Sequence, residues 1–294
     1  ICRVGPTKYH DGIRDGVEFD ADDRFALDGE RLIVVAGVYG ADGTEYRTEI
    51  DSFSKIISYG KAGNGPSLFR VWSKDGRVVD YGATADSRIE AQGRTSAFLW
   101  LANKVQHASG NYIKSYYTEN NDSGEYYPLR IEYTGNDAAA LVPYAKVAFN
   151  YEARPDRVLS YVFGSAARIT KRLVSIETYV DAALVHLYSV AYAKGTSTGR
   201  SHVTSIALTD RNGIALPPTT CAGWTDVTSA ELGTFKIGPG FRPGYSLSAL
   251  SGRYIAGDVN GDGACDLVHL QSSAGVRVWL SNRDGPFTVD FTGS

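Results

Sequence analysis

Methionine is missing from all 294 residues, and position 1 is isoleucine. Ile1 is therefore not expected to be a translation start, and the chain reads as a piece of a longer polypeptide trimmed at both ends. Cysteine is scarce: Cys2, Cys221 and Cys265 are an odd, widely spaced set without a C-x-x-C pair, which supports neither a disulfide framework nor a zinc site. Free thiols are the expected state, with a Cys221–Cys265 bridge left open. No run of about eighteen apolar residues occurs, so no membrane span is expected, and none of these residues reads as a signal peptide. No Lys/Arg cluster exceeds the Lys171-Arg172 pair and the formal net charge is -3. Nucleic acid is not an expected partner, because binding its backbone needs a basic surface.

Catalytic patterns are lacking too. His10, His107, His186, His202 and His269 never stand at metal-ligand spacing, and no H-E-x-x-H occurs. Gly164-Ser165-Ala166 does not complete the G-x-S-x-G elbow. Gly60-Lys61-Ala62-Gly63-Asn64-Gly65 has the wrong order for a phosphate loop and reads as a hairpin loop. The carboxylates Asp20, Asp22, Asp23, Glu45, Glu49, Asp86 and Glu90 could approach in pairs across a sheet at glycosidase separation, but solvated strand edges explain most of them.

The chain is rich in turns and short apolar runs. Asp28-Gly29, Asp42-Gly43, Asn64-Gly65, Asp75-Gly76, Ser123-Gly124 and Asn212-Gly213 suit the positive dihedrals of tight turns. Between them lie strand-like runs such as Arg31–Val35, Leu68–Trp72 and Arg77–Tyr81, joined in the second half by 158–163, 173–180, 183–193 and 203–208. Residues 182–193 have mixed periodicity, and their neighbours argue for strand. Tyrosine is abundant at 19 residues, and its company suggests rings buried on sheet faces with hydroxyls in water. Leu216-Pro217-Pro218-Thr219-Thr220 opens a Gly/Pro/Thr/Ser-rich connector.

Near the C-terminus, Gly257-Asp258-Val259-Asn260-Gly261-Asp262-Gly263-Ala264-Cys265-Asp266-Leu267 has the chemistry of a calcium loop. Asp258, Asn260 and Asp262 supply oxygens at alternate positions, Gly263 permits the sharp turn, Ala264 offers its carbonyl, and Asp266 closes from the ninth position. Oxygen-only ligation suits a hard cation, so calcium is the expected ion. The twelfth position, where an EF-hand carries Glu, is His269. It lies within the first of two β-rich runs, Leu267–Gln271 and Val276–Leu280. A calcium loop feeding a hairpin resembles an FG-GAP repeat, the blade unit of integrin-type propellers. A single blade cannot bury both of its faces.

A second resemblance runs through the first 208 residues. Asp22-Asp23-Arg24-Phe25-Ala26-Leu27-Asp28-Gly29-Glu30-Arg31-Leu32, Tyr46-Arg47-Thr48-Glu49 with Asp51-Ser52-Phe53, Val71-Trp72-Ser73-Lys74-Asp75-Gly76 and Asp86-Ser87-Arg88-Ile89-Glu90 form an ordered series. It continues with Gly110–Ile113, Glu125–Pro128, Ile131–Asn136 and Thr198–Ser201. The series is similar to the N-terminal domain of SpvB-type virulence proteins, which also opens the B components of insecticidal toxin complexes and related RHS-repeat proteins. The resemblance implies a secreted scaffold whose β-rich portion and propeller contribute to a shell around a toxic polypeptide. Its implied partners are a pore-forming A component and an RHS-type C component. The ADP-ribosyltransferase of SpvB belongs to a separate domain, and its Glu-x-Glu pair is absent from this sequence.

The expected fold is all-β: a sandwich-like antiparallel domain over 1–208, a connector over 209–250, and a calcium-binding blade over 251–294. The expected function is a non-catalytic scaffold. The rival is a glycan-binding or glycan-cleaving β-protein that stacks sugars on its tyrosines and on Trp72, Trp100, Trp224 and Trp279.

Overall fold

The computed structural model describes residues 1–196, 198–224, 237–238, 253–257, 259, 265–271, 275–282 and 285–293. Nearly all of the described secondary structure is antiparallel β-sheet. Two compact units divide it, Ile1–Ala191 with Ser205–Thr219, and Tyr192–Thr204 with Thr220–Ser294.

The first unit begins with ten short strands: β1 (Cys2–Val4), β2 (Arg24–Leu27), β3 (Glu30–Ala36), β4 (Glu45–Thr48), β5 (Lys55–Tyr59), β6 (Leu68–Trp72), β7 (Val78–Tyr81), β8 (Arg88–Glu90), β9 (Ala97–Trp100) and β10 (Ala102–Gln106). A four-residue helix, α1 (Lys8–Asp11), interrupts them. Strands β1 to β7 form a ladder in chain order, with β1 and β2 pairing across α1, while β7 also pairs with β10 and β1 with β9. Because residues 97–106 supply both β9 and β10, one stretch of chain serves both ends of the ladder, and the sheet closes into a barrel. The two layers expected of a sandwich are thus joined at both edges, which removes the open edges a sandwich would leave.

Alternation along these strands fills the barrel. Leu32, Tyr46, Ile56, Phe69 and Trp100 are fully buried and Phe25 nearly so. The rings of Phe25, Phe69 and Trp100 meet edge to face at 5.1 to 5.3 Å, the arrangement that aromatic quadrupoles favour. Closure requires a residue without Cβ beside Trp100. Gly82 sits there at φ 75°, where an added Cβ would lie 2.3 Å from Trp100 Cδ1.

From β10 the sheet runs on into long strands: β11 (Asn111–Asn120), β12 (Glu125–Asn136), β13 (Ala145–Val162), β14 (Ser165–Val180), β15 (Ala183–Lys194) and β16 (Ser201–Asp210). The apolar runs 158–162 and 173–180 are therefore parts of far longer strands, and residues 183–193 and 203–208 are strand. The β13–β14 turn is Phe163-Gly164, both at positive φ, the two-residue form that matches strand twist. Phe163 then packs edge-on against Phe19 and Phe98.

The short strand β17 (Thr219–Thr220) falls on the division, and the second unit holds a sheet ordered β18 (Ile237–Gly238), β22 (Gly285–Gly293), β21 (Gly275–Asn282), β20 (Asp266–Gln271), β19 (Arg253–Gly257). Four of these strands, β19 to β22, form an antiparallel meander in chain order. Asp266 opens a strand, β20, and not the helix of an EF-hand.

Candidate functional site

Of the five residues expected to hold calcium, Asp258, Asn260, Asp262 and Ala264 lie outside the described residues. Asp266 is described. It is the first residue of β20, 1% exposed, and its Oδ2 accepts the backbone N–H of Val259 at 2.9 Å. The carboxylate thus reaches back from the first residue of β20 to the backbone of Val259. Among the described residues no group of three or more His, Cys, Asp or Glu stands close enough to hold a metal. Cys2, Cys221 and Cys265 are free thiols.

The second candidate is the mouth of the barrel, a cavity of about 540 Å³ lined by Asp20, Asp23, Phe25, Tyr39, Asp42 and Lys61, with glycines on its rim. Its closed side is built around Arg3. Arg3 is buried to 2% exposure and donates from Nε to Ala97 O at 2.7 Å, from Nη1 to Asp23 Oδ2 at 3.0 Å, and from Nη2 to Asn64 O. Its guanidinium lies 5.5 to 5.7 Å from the ring centres of Phe19, Phe25 and Trp100. Burial pulls the guanidinium below its usual range, and Asp23 opposes that pull. Asp23 also accepts Glu18 N–H at 3.1 Å, so both ions are satisfied as a buried pair must be.

The rest of the mouth is similarly committed. Tyr39 Oη accepts Phe25 N–H at 2.7 Å and donates to Leu32 O at 3.3 Å, and burial pushes its hydroxyl up. Asp42 Oδ1 accepts Gly60 N–H at 2.7 Å, and Asp20 Oδ1 accepts Asp22 N–H at 2.9 Å. Of the remaining carboxylates singled out in the sequence, Glu45 pairs with Arg47 and Lys55, Glu49 with His10, and Asp86 accepts Tyr117 N–H. These groups hold loops and strands together.

Burial removes two of the four tryptophans, Trp100 and Trp279, from a stacking platform. Trp100 is fully buried with Nε1 bound to Pro66 O at 3.1 Å, and Trp279 is 3% exposed and stacked on His269. Neither face can meet a sugar. Trp224 is 56% exposed, but its Nε1 donates to Val203 O at 2.9 Å and His202 packs against its ring.

Two residues central to the structure carry no mark in the sequence. Arg3 occupies a three-residue strand with no local pattern around it. Glu119 stands against Glu90, twenty-nine positions away, and donor and acceptor meet only because β8 and β11 converge.

Residues 32–156 match the family described as Salmonella virulence plasmid 65kDa B protein. No curated protein matches the chain. Among solved structures, TcdB2-TccC3-Cdc42 superposes with a TM-score of 0.60 at 17% identity, covering 94% of this chain and 16% of that chain. TcdB2-TccC3 gives 0.57 at 15% identity, covering 100% of this chain and 17% of that chain. The N-terminal domain of the effector protein SpvB from Salmonella typhimurium strain LT2 gives 0.54 at 16% identity, covering 71% of this chain and 86% of that one. The chain thus shares the fold of these proteins, and it spans about a sixth of the length of the toxin-complex chains.

Proposed function

We propose that this chain is a non-catalytic scaffold segment of a secreted, SpvB-type or toxin-complex B-like virulence protein. In this reading the barrel and its long strands form part of a shell around a toxic polypeptide, and the second unit is a propeller blade that uses calcium structurally. The observation that carries it is the fold shared with TcdB2-TccC3 across the whole chain, together with the SpvB family match over residues 32–156.

The C-terminal meander supports the blade reading. On one face of the sheet stand Val268, Leu270, Val276, Val278 and Ile255, of which Ile255, Leu270 and Val276 are exposed by 52%, 37% and 40%. On the other face His269 and Trp279 are buried. A sheet built on a four-stranded meander with apolar groups on both faces is suited to be packed on both, as blades of a propeller are. Asp266, turned back onto Val259, supports the metal reading.

Co-elution tests the assignment. The parent protein carrying these residues is mixed at micromolar concentration with an RHS-type C component of the TccC3 kind and passed over a sizing column. A stable complex is expected, lost when residues 1–208 are deleted. Failure of the intact parent to co-elute defeats the scaffold reading. Saturable binding or cleavage of a polysaccharide would favour the glycan alternative, for which Trp100 and Trp279 are buried.

A further inference from the structure

A polar cavity of about 330 Å³ lies beside the β6–β7 and β10–β11 turns. Along β6, Arg70 and Trp72 alternate with Phe69 and Val71, which are buried in the barrel, so the cavity belongs to the outer face of the sheet. Strand register makes its floor. Trp72, Val78 and Gln106 stand side by side across β6, β7 and β10, and Arg70, Asp80 and Lys104 form the next row. Gly76 and Ala108, one from each turn, close a side, and a Cβ added to Gly76 would lie 3.3 Å from that of Ala108.

The hydrogen-bonding capacity left on this floor is chiefly that of donors. Arg70 uses two of its five N–H groups on the two oxygens of Asp80, at 2.6 and 3.0 Å. Lys104 uses one of its three on Asp137, at 2.5 Å. His107 Nδ1 accepts the backbone N–H of Ser109 at 3.3 Å, which leaves the proton of the neutral ring on Nε2. Among the described residues the Trp72 indole N–H and the Gln106 amide have no hydrogen-bond partner. Five lining side chains therefore offer unspent N–H groups, while the carboxylate of Asp80 is already committed to Arg70.

Charge points the same way. Lys114 is the register partner of Lys104, and the two ammonium groups lie over the Tyr112 ring, at 5.3 and 4.7 Å from its centre. Like charges directly opposite each other on a sheet are destabilising. Glu132, on the other side of Lys114, spends its oxygens on Arg130 and Tyr116. Arg70, Lys104 and Lys114 thus stand against Asp80 and Asp137, and the floor carries a surplus of positive charge.

We propose that this cavity binds a tetrahedral oxyanion, a phosphate or sulfate group, held by Arg70, Lys104, Gln106 and His107 with any substituent lying along Trp72. Such a group only accepts, which matches a floor rich in donors, and charge-assisted hydrogen bonds are the strong ones. It also relieves the opposition of Lys104 and Lys114. The site needs only the sheet of the first unit, so it stands or falls apart from the scaffold assignment.

The test is titration of the intact chain with sodium phosphate, and separately with phenyl phosphate, at ionic strength held constant with chloride. The indole N–H signals of the four tryptophans report it. The Trp72 signal is expected to move and to saturate with a dissociation constant on the order of 1 mM. The Trp100 indole, bound to Pro66 O inside the barrel, is the reference and stays in place. Lys104→Gln is expected to weaken binding about tenfold, the worth of one charge-assisted bond. Asp80→Asn removes a competing charge and loosens the hold on Arg70, so it is expected to tighten binding by a similar factor of about ten. Tighter binding of phenyl phosphate supports the site and makes its ligand a monoester whose ring meets Trp72; equal affinity supports it with the free anion as ligand. A Trp72 signal that does not saturate, a Trp100 signal that moves with it, or an Asp80→Asn chain that binds no more tightly than the wild type overturns the proposal.

Discussion

Arg3 concentrates the energetics of the barrel mouth at one residue. It ties β1 to β9 through Ala97 O, to the loop before β2 through Asp23, and to the loop before β6 through Asn64 O. Removing Asp23 would leave a guanidinium at 1% side-chain exposure without its ion-pair partner. Asp23→Ala is expected to cost about 3–5 kcal/mol, the usual penalty for stranding one member of a buried pair. Replacing both partners together by Arg3→Met and Asp23→Leu is expected to cost less than the single change. Urea unfolding of the single and double variants beside the wild type measures the difference. A single variant within about 1 kcal/mol of wild type, on the order of surface-pair values, would show the pair to be wetter than its geometry. Nothing in Cys2-Arg3-Val4 announces this role. The same three residues would suit an edge strand, and only the convergence of segments up to 94 positions away makes Arg3 central.

At the level of elements, what the sequence made legible was where the chain turns. Asp28 and Gly29 have φ of 51° and 88°, and Gly76 and Gly124 have φ of 81° and 65°, because positive φ demands residues that tolerate it. Phe163 and Asp181 take positive φ too, and neither bears a compositional mark. Strand existence was legible from β-branched and aromatic runs; strand length was not, since β13 carries Arg154-Pro155-Asp156-Arg157 through its middle. That interruption is a bulge: Ala153 pairs with Lys171 and Val158 with Ile169, so the residues between face Thr170 alone. Pro155 has no N–H to contribute and sits where none is needed. The N–H of Thr170, freed by the bulge, donates to Glu125 Oε1 at 2.6 Å and to Tyr127 Oη at 3.0 Å. Burial pushes the Glu125 carboxyl up, and the hydrogen bonds from Thr170, Tyr127 and Ser123 outweigh it and hold it below its ordinary range. Glu125→Ala is expected to destabilise by about 1–3 kcal/mol through loss of the acceptor shared by Thr170 N–H, Tyr127 Oη and Ser123 Oγ. Pro155→Ala is expected to stay within about 0.5 kcal/mol. Denaturant melts of both separate a bulge held by its cap from one held by its proline, and the reverse order of effects would refute the account.

For the molecule as a whole, the division into two compact units and the calcium proposal make a joint prediction. The calcium proposal for Asp258, Asn260, Asp262, Ala264 and Asp266 rests on the spacing that hard-cation ligation imposes on consecutive residues, whereas barrel closure was not legible in the sequence, because it depends on one stretch serving two distant strands. On the calcium proposal, the cation would act on the second unit, which contains the loop. For a site with a dissociation constant of ~10⁻⁴ M, typical of extracellular modules, millimolar calcium adds about 1.4 kcal/mol to that unit by mass action. Calorimetry should therefore resolve two transitions, with the one reported by the buried Trp279 moving up with calcium and down with chelator. The transition reported by the tyrosine-rich first unit should stay where it is, and Asp262→Ala should abolish the shift. A calcium shift shared equally by both transitions would mean that the units unfold as one. If neither moved, the calcium proposal would fall, and the second unit would owe its stability to packing and to bonds such as that from Val259 N–H to Asp266.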